Sequence, residues 1–166
     1  MAYAQKQNLN VFLTADQSLL LAPAGLGEVE KAADLILAAV KAGTKIAVFG
    51  DYDVDGVCAT SILFDFLYRK LGAEVVPYIP DRFDEGYGMN ADALQDLADS
   101  GTGLVITVDC GIRDEGLVSK FAGRLEFVIT DHHTLPPEGV PVSAAAVVHP
   151  GHPETPYPDA TSAEQQ

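Results

Sequence analysis

Basic residues are scarce in this sequence: 10 Lys and Arg stand against 24 Asp and Glu, for a net charge of −14. A protein that holds nucleic acid by its bare surface needs a basic face. The composition therefore argues against non-specific binding of nucleic acid by this surface alone. It fits a plain acidic protein equally well, so the placement of the acids matters more than their sum. Cysteine is scarcer still. Cys58 and Cys110 are the only two, and each lies in an apolar or strand-like setting. The expectation is two reduced interior thiols, and without a C-x-x-C pair there is no cysteine zinc site. No apolar run is long enough to cross a bilayer. The opening MAYAQKQNLN lacks the basic-then-apolar pattern of a secretory leader, which makes the cytoplasm the default expectation.

What is present suits one domain with a real core: 166 residues, 48% of them hydrophobic. Residues 1–27 read as an irregular lead-in. Glu28–Ala42 has Val29, Ala32, Ala33, Ile36, Leu37 and Val40 at helical spacing, with Gly43 to stop it. Short apolar runs at Lys45–Phe49, Glu74–Ile79, Leu104–Val108, Phe127–Thr130 and Ala144–Val148 read as strands. Helices are expected over Val57–Leu71, opened by Asp55-Gly56 and closed by Gly72, over Ala91–Asp99 and over Ile112–Phe121. The Pro-, Gly- and Asp-rich PDRFDEGYGMN between them is a loop. Alternation of strand and helix predicts an α/β fold, doubly wound, with a mainly parallel sheet and helices on both faces. The expected domain spans residues 28–150, and residues 151–166 form a Pro-rich irregular tail.

Three of these strands end alike. The first runs into Gly50-Asp51-Tyr52-Asp53-Val54-Asp55, the third into Asp109-Cys110-Gly111, and the fourth into Asp131-His132-His133. In an open parallel sheet the C-terminal strand ends share one edge, where ligands bind. Five aspartates and two histidines are thus expected to converge on one crevice. An aspartate after a strand is often only a helix cap, and Asp55 is the one placed to cap the helix at Val57. Uncompensated carboxylates crowded on one edge are costly, so the three segments together call for cations.

Two rival readings fail. DYDVDG matches the first half of an EF-hand loop, but that loop needs a bidentate Glu at its twelfth position. Counting from Asp51, that position is Ile62. A one-magnesium phospho-acceptor site explains the acids but not His132 and His133, since magnesium prefers oxygen ligands. Mixed carboxylate and imidazole ligands suit manganese, iron or zinc. So many ligands exceed one ion's needs, and two ions bridged by a shared carboxylate would use them. Such a pair clamps a phosphate and supplies its own nucleophile, so the expected chemistry is phosphoester or phosphoanhydride hydrolysis with no Ser or Cys nucleophile.

The D-x-D-x-D-G of Asp51–Gly56, the V-D-C-G of Val108–Gly111 and the D-H-H of Asp131–His133 resemble, in this order, the first three motifs of the DHH phosphoesterase superfamily. IAVFGDYDVDGVCATSIL, YIPDRFDEGYGMN, LVITVDCGI and VITDHHTLP are similar to its single-strand-specific DNA exonucleases, and the likeness runs from about Glu28 to about Asp159. The resemblance implies a two-metal phosphodiesterase acting 5′ to 3′ on single-stranded DNA, with Mn2+ as cofactor and Mg2+ as the alternative. It implies that Asp53 and Asp55 ligate the two ions, with Asp51 a third acid at the site. Asp109 would bridge the ions and His132 would be a ligand. His133 would contact the scissile phosphate, and Asp131 would orient the histidines from behind. Arg82 would meet a phosphate or form a surface ion pair. Tyr87 would stack on a base or pack within its loop.

Two departures matter. Many members of the superfamily carry a metal-binding His four residues before the middle Asp of the first motif, where this chain has Phe49. A fourth motif with another metal-binding Asp, and a second domain that closes over the substrate, are not found here. The expectation is a truncated form with reduced or no activity alone, whose positive surface comes from the missing half or from a partner chain. Two other readings remain: hydrolysis of short oligonucleotides or cyclic dinucleotides, and a catalytically dead metal-binding or interaction module.

Overall fold

The fold is built on strands that read as unbroken apolar runs, because a parallel sheet covered on both faces has no solvent side. A computed structural model describes residues 22–155, together with Leu13 and Tyr157. Five strands, β1 (Lys45–Gly50), β2 (Val75–Tyr78), β3 (Thr102–Val108), β4 (Glu126–Thr130) and β5 (Ala146–Val148), form one sheet. Its order is β2-β1-β3-β4-β5, and every pairing is parallel. The helices are α1 (Val29–Ala42), α2 (Val54–Asp65), α3 (Ala91–Asp99) and α4 (Glu115–Phe121). A π-helical turn, Phe66–Lys70, prolongs α2. The lead-in expected over residues 1–27 lies mostly outside the described residues, as does most of the tail. The start of that tail turns back, with the Tyr157 N–H donating to the Pro150 carbonyl at 2.8 Å.

Alternation along the central strands feeds two cores. Ile46, Val48, Leu104, Ile106 and Val128 pack under α1 and α2. Ala47, Phe49, Val105, Phe127 and Ile129 pack under α3 and α4. Burying one such side chain contributes about 1.5–3 kcal/mol, so these central residues anchor the sheet. The chain leaves β1 for β2 on one side and returns to β3 on the other. The gap between the ends of β1 and β3 is therefore the topological switch point where ligands of such sheets sit.

Three expectations need correction. Helix α2 begins at Val54, not Val57, and its cap is Asp53, which accepts the Gly56 N–H at 3.0 Å; Asp55 lies inside the first turn. Gly56 permits this early start, because a Cβ there would come within 2.4 Å of the Asp51 carbonyl oxygen. Helix α4 begins at Glu115, not Ile112, because the Ile112 N–H is taken by Asp131 Oδ2 at 3.0 Å. The third concerns cysteine. Cys110 is buried, and burial pushes its thiol up. Cys58 is exposed, because α2 turns that position outward.

Candidate metal centre

Strand register places the acids. Gly50 pairs with Val108, and Val108 pairs with Thr130. The next residue on each strand is Asp51, Asp109 and Asp131, so three carboxylates leave the sheet side by side. The ladder runs on into this row, with the Asp109 N–H donating to the Thr130 carbonyl at 3.0 Å.

Among the described residues, two groups have ligand atoms all within 4.8 Å of one another: Asp51, Asp53 and Asp109, and Asp109, His132 and His133. Asp109 belongs to both. Its φ is +62°, in the left-handed region that costs most residues about 1–2 kcal/mol and that Asp and Asn tolerate best. That turn swings its carboxylate across the gap between β1 and β4. Asp109 Oδ1 lies 3.0 Å from His132 Nε2 and 4.0 Å from His133 Nδ1. Its Oδ2 is buried and has no hydrogen-bond partner. Burial raises the Asp109 pKa, and the neighbouring Asp53 raises it further, against the opposing pull of His132 and His133. A buried carboxylate oxygen with nothing to bind, beside two other acids, fits a candidate cation seat.

Asp131 is engaged differently. Oδ1 accepts from the N–H of His132 at 2.7 Å, the N–H of His133 at 3.0 Å and His133 Nδ1 at 2.8 Å, while Oδ2 accepts from Ile112 N–H. Burial works to raise its pKa, but these donors outweigh it and hold the carboxyl below the usual range. Burial likewise works to lower the His133 pKa, and the bond to Asp131 outweighs it and raises it. Asp51 is buried, with one oxygen accepting its neighbour Tyr52's N–H at 2.7 Å. Exposed Asp53 has its pKa lowered chiefly by the Gly56 N–H.

Asp55 belongs to neither ligand group. It lines a cleft of about 390 Å³ with Leu26, Ala59, Asp109, Thr130 and His132, which places it at the rim of the centre. Arg82 and Tyr87 both reach the mouth. The Tyr87 hydroxyl lies 3.2 Å from His133 Nε2, and the Arg82 guanidinium sits 5.2 Å from the centroid of the Tyr52 ring, which meets Tyr87 edge-on. Sequence reasoning passed over Tyr52, since an aromatic between two acids carries no signal of its partners. It also passed over Asp114, which lines a second cleft of about 400 Å³ with Tyr87, Asp131 and His133. Burial raises the Asp114 pKa. A hollow of similar size, about 420 Å³, lies at the opposite edge of the sheet around Gly103, Arg124 and Ser143. It holds neither ligand group, so size alone does not locate the chemistry.

A doubly wound sheet whose switch point carries two groups of possible ligands sharing one aspartate defines an α/β domain with a candidate metal site. Residues 45–163 match the model of the DHH family, N-terminal domain, and the chain belongs to that family. It is 42% identical over 154 residues to the single-stranded-DNA-specific exonuclease RecJ of Bacillus subtilis, covering 92% of this chain and 19% of the relative. Against RecJ of Thermus thermophilus the identity is 40% over 139 residues, covering 81% and 19%. A crystal structure of exonuclease RecJ bound to manganese superposes with a TM-score of 0.71 at 38% identity, covering 80% of this chain and 33% of that one. Thermus thermophilus RecJ in complex with Mn2+ gives 0.68 at 34%, covering 84% and 19%. The chain thus spans about a fifth of the length of these curated relatives. Among the described residues no helix is long and apolar enough to cross a membrane.

Proposed function

We propose that this domain is the metal-binding portion of a RecJ-like phosphodiesterase that hydrolyses single-stranded DNA from the 5′ end. The observation that carries the reading is Asp109: one carboxylate shared by two ligand groups, with a buried oxygen that no protein group satisfies. Asp51, Asp53 and Asp109 would hold one Mn2+ and Asp109 with His132 the other, Asp55 completing the ligands from the rim. Once bound, such a pair supplies a nucleophile and neutralises charge on the phosphate.

The chain's own residues do the rest. Asp109 sets the spacing of the two seats. His133 keeps its Nδ1 proton on Asp131 and is poised to carry positive charge, which suits contact with the scissile phosphate. Tyr87 and Arg82 line the approach, where a ring stacks on a base and a guanidinium meets backbone phosphate. An acidic domain offers little grip on a polyanion, so the reading assigns that grip to a basic surface supplied outside these 166 residues, including by a partner chain.

The test is calorimetry with Mn2+ on the wild type and on Asp109→Ala, alongside hydrolysis of labelled single strands, short oligonucleotides and a generic phosphodiester. Binding that collapses with the substitution, and only weak cleavage of the long strand by these 166 residues alone, are expected. Unchanged affinity in the variant would refute the shared-ligand assignment. Metal binding without hydrolysis of any substrate would favour a dead module, and cleavage restricted to short oligomers a different substrate.

A further inference from the structure

His149 follows β5 directly and ligates nothing in either group. It is 4% exposed. Its Nδ1 receives the Gly151 N–H at 2.9 Å. A backbone N–H only donates, so Nδ1 holds a lone pair and the ring proton sits on Nε2. That Nε2 lies 2.8 Å from the carbonyl oxygen of His133, and therefore donates to it. The turn that presents Gly151 is closed by the His152 N–H on the His149 carbonyl, at 3.1 Å.

The two-histidine turn is consequently held at both ends. Asp131 takes the N–H groups of His132 and His133, and His149 takes the carbonyl that leaves His133. Without the second bond the peptide after His133 can rotate, and both imidazoles lose their aim at Asp109. We infer that His149 is a positioning residue, a buried clamp on the His132–His133 turn that sets the geometry of the histidine-bearing ligand group. The inference rests on the metal reading above for its effect on affinity, but not for its effect on the imidazoles themselves.

Two substitutions separate the ring's two bonds. His149→Gln can still donate an amide N–H to the His133 carbonyl, while His149→Asn can accept the Gly151 N–H but falls short of that carbonyl. Each loses one hydrogen bond, so a purely structural role predicts equal effects. His149→Phe keeps the bulk and loses both. The expected result in the 166-residue chain is Mn2+ affinity near wild type for Gln and about tenfold weaker for Asn, the size typical of residues behind a ligand. In metal-free protein, imidazole nitrogen shifts of His132 and His133 move in Asn and Phe and stay in Gln. The inference is overturned if Gln falls as far as Asn, or if the imidazole shifts stay in place in every variant. If the wild type binds no Mn2+ at all, the metal reading fails, and the metal-free shifts alone decide the role of His149.

Discussion

Replacing Asp109 with Asn should make the metal-free domain more stable and the metal-loaded domain less so. Asn accepts the left-handed φ of +62° as readily as Asp does, so backbone strain is unchanged, which Ala would not ensure. The charge is what goes. Asp51 is 2% exposed and Asp109 9%, and their ligand atoms lie within 4.8 Å. The Asp109 charge is penalised first by burial and then by Asp53, and leaving its buried Oδ2 unsatisfied costs about 1–3 kcal/mol. Allowing for a weaker bond from His132, the net gain on substitution is about 2 kcal/mol, or roughly 4–8 °C in Tm for a domain of this size. The pH dependence has a definite sign. The Asp109 pKa in the folded state is raised above its ordinary 3.8, so its charge is a penalty at neutral pH that is relieved as pH falls through the raised value. The advantage of Asn should be full at pH 7 and gone below 3.8. Saturating Mn2+ reverses the order: at a hundred times Kd a ligand adds about 2.7 kcal/mol, which the wild type collects and the variant largely forfeits. Urea unfolding with and without Mn2+, at pH 7 and near pH 4, measures all four corners. A metal-free variant less stable than wild type, or equal stabilisation of both by Mn2+, would refute the account of this site as a charge-strained seat.

Two further outcomes follow from positions away from the histidines. Gly56→Ala drives a Cβ to 2.4–2.7 Å from the main chain of Asp51; backbone against backbone cannot yield cheaply, so a loss of about 3 kcal/mol with weakened Mn2+ binding is expected in urea melts and calorimetry, and near-neutral behaviour would show that the α2 entry is slack. Glu28 ties α1 to β5 by accepting the Val147 N–H at 2.7 Å. Burial opposes its charge, but Lys31 and that N–H outweigh it and lower its pKa below 4.5. The stabilisation is therefore present above 4.5 and lost as pH falls through the lowered value, so Glu28→Gln should cost about 1 kcal/mol at pH 7 and nothing in strong acid; a cost independent of pH would assign the effect to packing.

Much of this architecture was legible beforehand because its three inner strands are largely buried on both faces. Runs such as Ile46–Phe49 and Leu104–Val108 leave no other reading, and the helices between them force parallel order. The acids at three strand ends were legible for the same reason: a parallel sheet sends all its strand ends to one edge. Helix starts were not. Asp131 reaches across from the next strand to take the Ile112 N–H, and Asp53 rather than Asp55 caps α2 because Gly56 lets the helix press against Asp51. Both are decided by partners distant in space or by a missing Cβ, which local patterning does not register. His149 escaped notice likewise, since nothing in Val148-His149-Pro150 reveals that the ring meets the carbonyl of His133.

The pairing of Gly50 with Val108 and of Val108 with Thr130 also restricts how such a chain can vary. Adding or deleting one residue within β1, β3 or β4 moves that strand's tip by about 3.3 Å and turns its terminal side chain to the opposite face of the pleat. One carboxylate would then leave the row while its neighbours stayed. Insertions are tolerable in the connections at the opposite edge of the sheet, but the tips of the three inner strands are locked in one register, like teeth cut to one height on a key.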